Sequence, residues 1–150
     1  MKITFIRPNF SNIRSADAMQ PLAFAVLAGL THPDIEIEFY DERIEEIPNV
    51  LNTDLVALSV ETYTARHAYE LSDQFRNQNI TVIMGGYHIS FMPDEALQHA
   101  DAIVIGDAEL VWHNILNDFR NNTLKRIYQS EHFPVLADIP YERSIFHDKK

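Results

Sequence analysis

The sequence has no cysteine among its 150 residues. That excludes disulfides, cysteine-ligated zinc, iron–sulfur ligation and thiol catalysis by this chain. Glycine is scarce, with four residues, and basic residues number twelve against twenty-two acids, a net charge of −10. Such a surface repels phosphate backbones and anionic lipid, which speaks against nucleic-acid and membrane partners. The longest apolar run, residues 21–30, is too short to span a bilayer. The first seven residues carry no cleavage signal and read as a strand, so a cytoplasmic domain is the expectation. What remains is ordinary globular composition, 46% apolar and 23% charged. A chain of this length fits one domain.

The periodicity gives an alternating pattern. Residues 2–6 form a short β-rich run that ends before Pro8, which cannot donate to a ladder. Residues 18–30 read as a helix, with Leu22, Val26 and Leu30 four apart. Residues 35–40 alternate apolar and acidic, as in a half-buried or edge strand. Residues 55–59, 80–84 and 101–105 are continuous apolar runs, suited to central strands buried on both faces. Between them, Thr64 suits an N-cap before an amphipathic helix built on Ala65, Ala68, Leu71 and Phe75. Pro93 suits the first position of another helix, with Asp94 and Glu95 in its first turn. Residues 109–120 read as a helix on Leu110, Ile115, Leu116 and Phe119, and residues 125–129 as a last strand. Residues 130–150 lose periodicity and read as an extended tail or linker after a domain at 1–129. Alternating strands and helices predict an α/β fold. The expected form is an open, doubly wound parallel sheet of flavodoxin-like order 2-1-3-4-5, with helices on both faces.

Ligands of such sheets bind beyond the carboxyl ends of the strands. Residues expected there are Pro8 and Asn9, then Ser59, Glu61 and Thr62, then Gly85, Gly86, Tyr87 and His88, then Gly106. Three of the four glycines fall on this edge, where backbone can approach a ligand. The loop from Arg7 to Arg14 has no glycine, so a dinucleotide fingerprint is absent, as is a phosphate-cradling P-loop. A receiver domain would need an Asp where Ser59 stands and a Lys where Gly106 stands. Glu109 and His113 lie four apart on one helix face, but spacing places no third metal ligand. No catalytic acid–base pair is recognisable.

The pairing of Ser59 with Gly85-Gly86, twenty-six residues on, resembles cobalamin-binding domains. The segments Arg7-Pro8, Pro21-Leu22, 39–43, 85–90, 93–96 and 100–109 are similar, in order and spacing, to the amino-terminal domain of cobalamin-dependent radical S-adenosylmethionine proteins. The resemblance implies that the nucleotide tail of cobalamin lies beside the sheet between Ser59 and the glycines. It also implies a following barrel that carries the [4Fe–4S] cluster and S-adenosylmethionine, with this domain as its partner in methyl transfer or related radical chemistry. For this domain itself the only metal implied is the cobalt of the cofactor. Many cobalamin domains carry Asp-x-His-x-x-Gly after the first strand; this loop has neither the His nor the Gly, and Glu61 replaces a leucine. His88 either bonds a cofactor amide or phosphate or holds the turn. Phe10, Tyr63 and Tyr87 either pack a corrin ring or are ordinary rim residues. Two rival readings are a degenerate cobalamin-like module that binds no corrin and positions substrate or a partner, and a flavin or nucleotide protein of the same fold.

Overall fold

The computed structural model describes residues 1–10, 14, 19–135, 139–147 and 149. A single six-stranded sheet forms the middle layer, in the order β2-β1-β3-β4-β5-β6. Its strands are β1 (Lys2–Arg7), β2 (Glu36–Asp41), β3 (Leu55–Ser59), β4 (Thr81–Gly85), β5 (Ala102–Ile105) and β6 (Ile127–Gln129). All five pairings are parallel. The open, doubly wound α/β sheet is therefore as expected. The segment at residues 125–129 lengthens the expected order by one edge strand. The alternating segment at 35–40 takes the opposite edge, where Phe39 is buried and Glu36 faces solvent.

Strand side chains alternate between faces, and this divides the core in two. Ile3, Phe5, Ala57, Ile83 and Val104 pack beneath α1 (Leu22–Leu30) and α5 (Trp112–Arg120). Ile6, Val56, Leu58, Val82 and Met84 pack beneath α2 (Ala65–Asn77) and α4 (Pro93–His99), together with Ile89 of the short helix α3 (Tyr87–Phe91). The first face is rich in aromatic contacts: Phe5 stacks on Phe24 at 5.1 Å and meets Trp112 at 5.8 Å, and Phe24 meets Phe39 at 5.5 Å.

Several local expectations are corrected. The first helix begins at Leu22, with Pro21 as its extended N-cap, and not at residue 18, which lies outside the described residues. Proline inside the helix would remove a hydrogen bond and clash one turn back, so the helix starts after it. Its inward residues are Phe24, Ala25, Val26 and Ala28, while Leu22 is exposed. In a segment apolar on every side, a four-residue spacing does not pick the buried face. The last helix begins at Trp112, not 109, because residues 106–111 form the loop beyond β5; Leu110 is consequently exposed. Helix α3 was not anticipated, since it is one short turn that buries only His88 and Ile89. Thr64 makes no side-chain cap for α2. Its hydroxyl turns back instead, accepting from the Glu61 amide at 3.1 Å and closing a 3-10 turn at Thr62–Thr64. Pro93 does open α4, with Asp94 and Glu95 in the first turn.

Past β6 the described chain does not stay extended. The Glu142 amide donates to the Ala25 carbonyl at 2.7 Å, and Phe146 enters the core edge-on to Phe39 at 5.1 Å. Lys149 reaches Glu45 at 2.8 Å and sits 4.7 Å over the Tyr40 ring. This stretch crosses α1 at Gly29, where an added Cβ would stand 2.8 Å from the backbone of Pro140 and Tyr141. A single buried aromatic, Phe146, pins the crossing. Phe146→Ala is expected to cost about 3–5 kcal/mol, read as a fall in the urea midpoint at unchanged slope; an unchanged midpoint would show that the closing stretch does not pack on the domain.

Candidate functional site

Register puts Ser59 opposite Gly85 at the carboxyl ends of β3 and β4. Each lies two residues beyond an inward residue of the aromatic face, Ala57 and Ile83. Period-two alternation therefore points both positions toward α1 and α5. There the sheet and the two helices part to leave a groove of about 420 Å³. Its lower walls are Phe24, Leu27, Ala57, Ile83 and Trp112, with Val104 beside Gly85 above them. Its upper rim is Ser59, Glu61, the three rim glycines, Tyr87, Ser90, Asp107 and Glu109.

The glycines do different work. Gly86 has φ of +106°, and a Cβ on it would lie 2.6 Å from the Val60 carbonyl oxygen. The fold itself demands glycine there. Gly106 also has positive φ, at +77°, with open space where a side chain would go. Gly85 has neither constraint: its Cβ would meet only the Val104 side chain, at an ordinary 3.7 Å. What a side chain at Gly85 would fill is the groove.

Ser90 ties the two turns together. Its hydroxyl donates to the Gly86 carbonyl at 3.3 Å and accepts from the Gly106 amide at 2.9 Å. Trp112, the sole tryptophan, donates its indole N–H to Thr31 Oγ1 at 2.9 Å, and the Thr31 hydroxyl donates in turn to the Leu27 carbonyl at 2.6 Å. The floor of the groove is thereby hydrogen-bonded internally. Sequence reading missed both residues. Ser90 follows the glycines by one helical turn, but nothing in its neighbours marks it; Trp112 fell inside the expected helix at 109–120 but was not among the apolar positions chosen for its buried face.

Of the ten positions expected at the site, Ser59, Glu61, Gly85, Gly86, Tyr87 and Gly106 line the groove. Pro8, Asn9, Thr62 and His88 do not. His88 turns to the opposite face of the sheet, buried, with its ring 6.0 Å from that of Tyr69 and Nε2 at 3.5 Å from Glu95 Oε1. Burial, with Glu95 nearby, pushes the Tyr69 phenol upward, so it stays neutral. Asn9 belongs to a separate network at the ends of β1 and β2. Its amide donates to Glu42 Oε2 at 2.8 Å, and Glu42 also holds His67 Nε2 at 2.7 Å. Beside it, buried Asp41 pairs with Arg43 at 2.5 Å and with Arg7 at 3.8 Å. Both arginines donate to the Met19 carbonyl, at 2.9 and 3.0 Å, fixing the end of the loop that enters α1. Burial and Arg43 lower the Arg7 pKa, with Asp41 opposing. Phe10 and Tyr63 meet edge-on at 6.5 Å, exposed and outside the groove. Tyr87 is exposed and leaves the groove open. His113 accepts no role at the rim: its Nε2 faces Asn117 Nδ2 at 3.0 Å, apart from Glu109. Among the described residues no cluster of three metal-ligating side chains forms.

No helix among the described residues is long and apolar enough to cross a membrane. Residues 15–116 match the family described as B12 binding domain. The chain is 44% identical over 119 residues to a bacteriochlorophyllide d C-8(2)-methyltransferase of Chlorobaculum tepidum, covering 79% of this chain and 26% of that protein. It is 29% identical over 120 residues to a bacteriochlorophyllide d C-12(1)-methyltransferase of the same organism, at the same coverage. The chain thus spans about a quarter of the length of these relatives. A solved structure, the N-terminal domain of a hypothetical protein of Thermotoga maritima, gives a TM-score of 0.43 at 26% identity, covering 51% of this chain and 61% of that one.

The contrast between adjacent glycines is measurable. Gly86→Ala combines positive φ with a collision against backbone and is expected to cost at least 1–3 kcal/mol or so. Gly85→Ala should leave stability within about 0.5 kcal/mol. Equal melting temperatures for the two variants would contradict this assignment.

Proposed function

The chain belongs to the B12-binding domain family, and we propose on that premise that it holds cobalamin, with the nucleotide tail in the groove beneath α1 and α5. The observation that supports this most is Gly85, a glycine the backbone does not require, standing opposite Ser59 over an apolar slot. A slot with apolar walls and a rim of hydroxyls and free backbone suits a flat base on a polar phosphoribosyl stem. Ser59 and Ser90 would face the polar stem, and Gly85, Gly86 and Gly106 would let it pass close to the backbone. Phe24, Leu27 and Trp112 would take the base. Tyr87 and Phe91, exposed at the mouth, would cover the edge of the corrin ring.

When bound, cobalamin supplies a cobalt centre able to carry a methyl group. The chain's own part is to hold, orient and shield. Among the described residues no histidine lines the groove, and the loop after β1 contains none in its sequence. This domain would therefore hold the cofactor without ligating cobalt from below. The parent activity that accords with the relatives' names is methyl transfer to a tetrapyrrole-type substrate. The iron–sulfur cluster and S-adenosylmethionine of such a radical enzyme would be held by a barrel outside this cysteine-free chain.

Incubating the purified chain with hydroxocobalamin and desalting should leave corrin absorbance with the protein. The bound spectrum should lack histidine coordination, and Trp112 fluorescence should be quenched. Gly85→Val should reduce retained cobalamin at least tenfold while melting within a few degrees of the parent. No retained corrin, or full retention by Gly85→Val, would overturn the proposal.

A further inference from the structure

The lower half of the groove carries more information than its presence. It extends roughly 7 Å down the sheet from the Ser59–Gly85 rim to Ala57 and Ile83, two residues inward. Every side chain that lines this depth is hydrocarbon except Trp112. The one polar atom of Trp112 is already donated to Thr31 Oγ1, and the Thr31 hydroxyl is itself spent on the Leu27 carbonyl. Among the described residues, the polar side chains of the groove, namely Ser59, Glu61, Tyr87, Ser90, Asp107 and Glu109, stand in its upper part, at or beyond the strand ends. A group carried to the floor therefore finds contact area and no side-chain hydrogen-bond partner.

From this we infer that the groove selects among corrinoids by the base at the end of their nucleotide tail, favouring a benzimidazole with an apolar outer edge over a purine. The inference rests on the groove holding that tail. Dimethylbenzimidazole presents two methyl groups on its outer edge, each of which gains about fourfold in affinity when fully buried. Adenine presents an exocyclic amine and ring nitrogens, which leave water without a replacement partner. Both effects act in one direction. Ala57 is the residue through which the preference can be altered, because it lines the floor two residues inward of Ser59 and its replacement by serine adds only a hydroxyl there.

Equilibrium dialysis of the chain against cobalamin, an otherwise identical corrinoid with an adenine base, and cobinamide, which lacks the tail, separates the claims. Bound corrin is read by its visible absorbance. Cobalamin should bind at least tenfold more tightly than the adenine corrinoid and than cobinamide, and Ala57→Ser should narrow the gap between the two bases to a few-fold. Equal binding of the two bases would overturn the selectivity while leaving cobalamin binding intact. Binding of cobinamide as tight as that of cobalamin would show that the tail contributes nothing and would overturn it too. Failure of cobalamin itself to bind would remove the underlying reading.

Discussion

The close crossing of Gly86 over the backbone of Val60 is the contact on which the rest of the site depends. The Val60 amide donates to the Gly85 carbonyl at 2.8 Å, and the Val60 carbonyl accepts from the His88 amide at 3.2 Å. Two backbone bonds thus lock the ends of β3 and β4 together just where both strands stop. Only a residue without Cβ, able to adopt φ of +106°, can sit between them. The turn sends Tyr87 to the groove mouth and His88 to the opposite face, and starts α3 in the orientation that brings Ser90 under Gly106. The rim is therefore a property of one backbone crossing and its hydrogen bonds, and the side chains that line it are carried along.

The groove is also an interruption of the core. On the aromatic face, Phe146, Phe39, Phe24, Phe5 and Trp112 form a continuous series of ring contacts, with centroid separations of 5.1 to 5.8 Å. Helix α1 is held against the sheet by that series and by the closing stretch that crosses it at Gly29. With both ends of the series packed, α1 and α5 are fixed apart over the strand ends. The space left where Gly85 has no side chain stays open because its walls are supported from behind. On the second face, under α2 and α4, His99 lies flat on Tyr69 at 4.4 Å and pairs with Asp73 at 2.9 Å.

The sheet was legible because central parallel strands advertise themselves. Residues 55–59 and 101–105 can be little else, and each is followed by a glycine or polar turn and a helical stretch. The position of Ser59 and the glycine pair followed from the rule that such sheets bind at their carboxyl edge. What the sequence hid was direction. His88 and Tyr87 are neighbours in an aromatic, polar run, and nothing in their chemistry says that a positive φ at Gly86 sends one to each face. Pro8 and Asn9 sit at the same edge, yet Glu42 and the Arg7–Asp41–Arg43 cluster engage that end of the rim in structural bonds, while Thr62 is taken up in the 3-10 turn after β3. Helix starts were misjudged where apolar residues continue into a loop, as at Leu110. The packing of Phe146 was invisible because a short aperiodic segment shows neither repeat that sequence reading relies on.

The most direct measurement is a crystal structure of this chain with cobalamin. The account predicts density for the nucleotide tail between the sheet and helices α1 and α5. The base should touch Phe24, Leu27 and Trp112, and the phosphoribosyl stem should pass Ser59 and Gly85, with no histidine of this chain on cobalt. A tail folded back onto its own cobalt, or a corrin bound against α2 and α4 with the groove left empty, would contradict it.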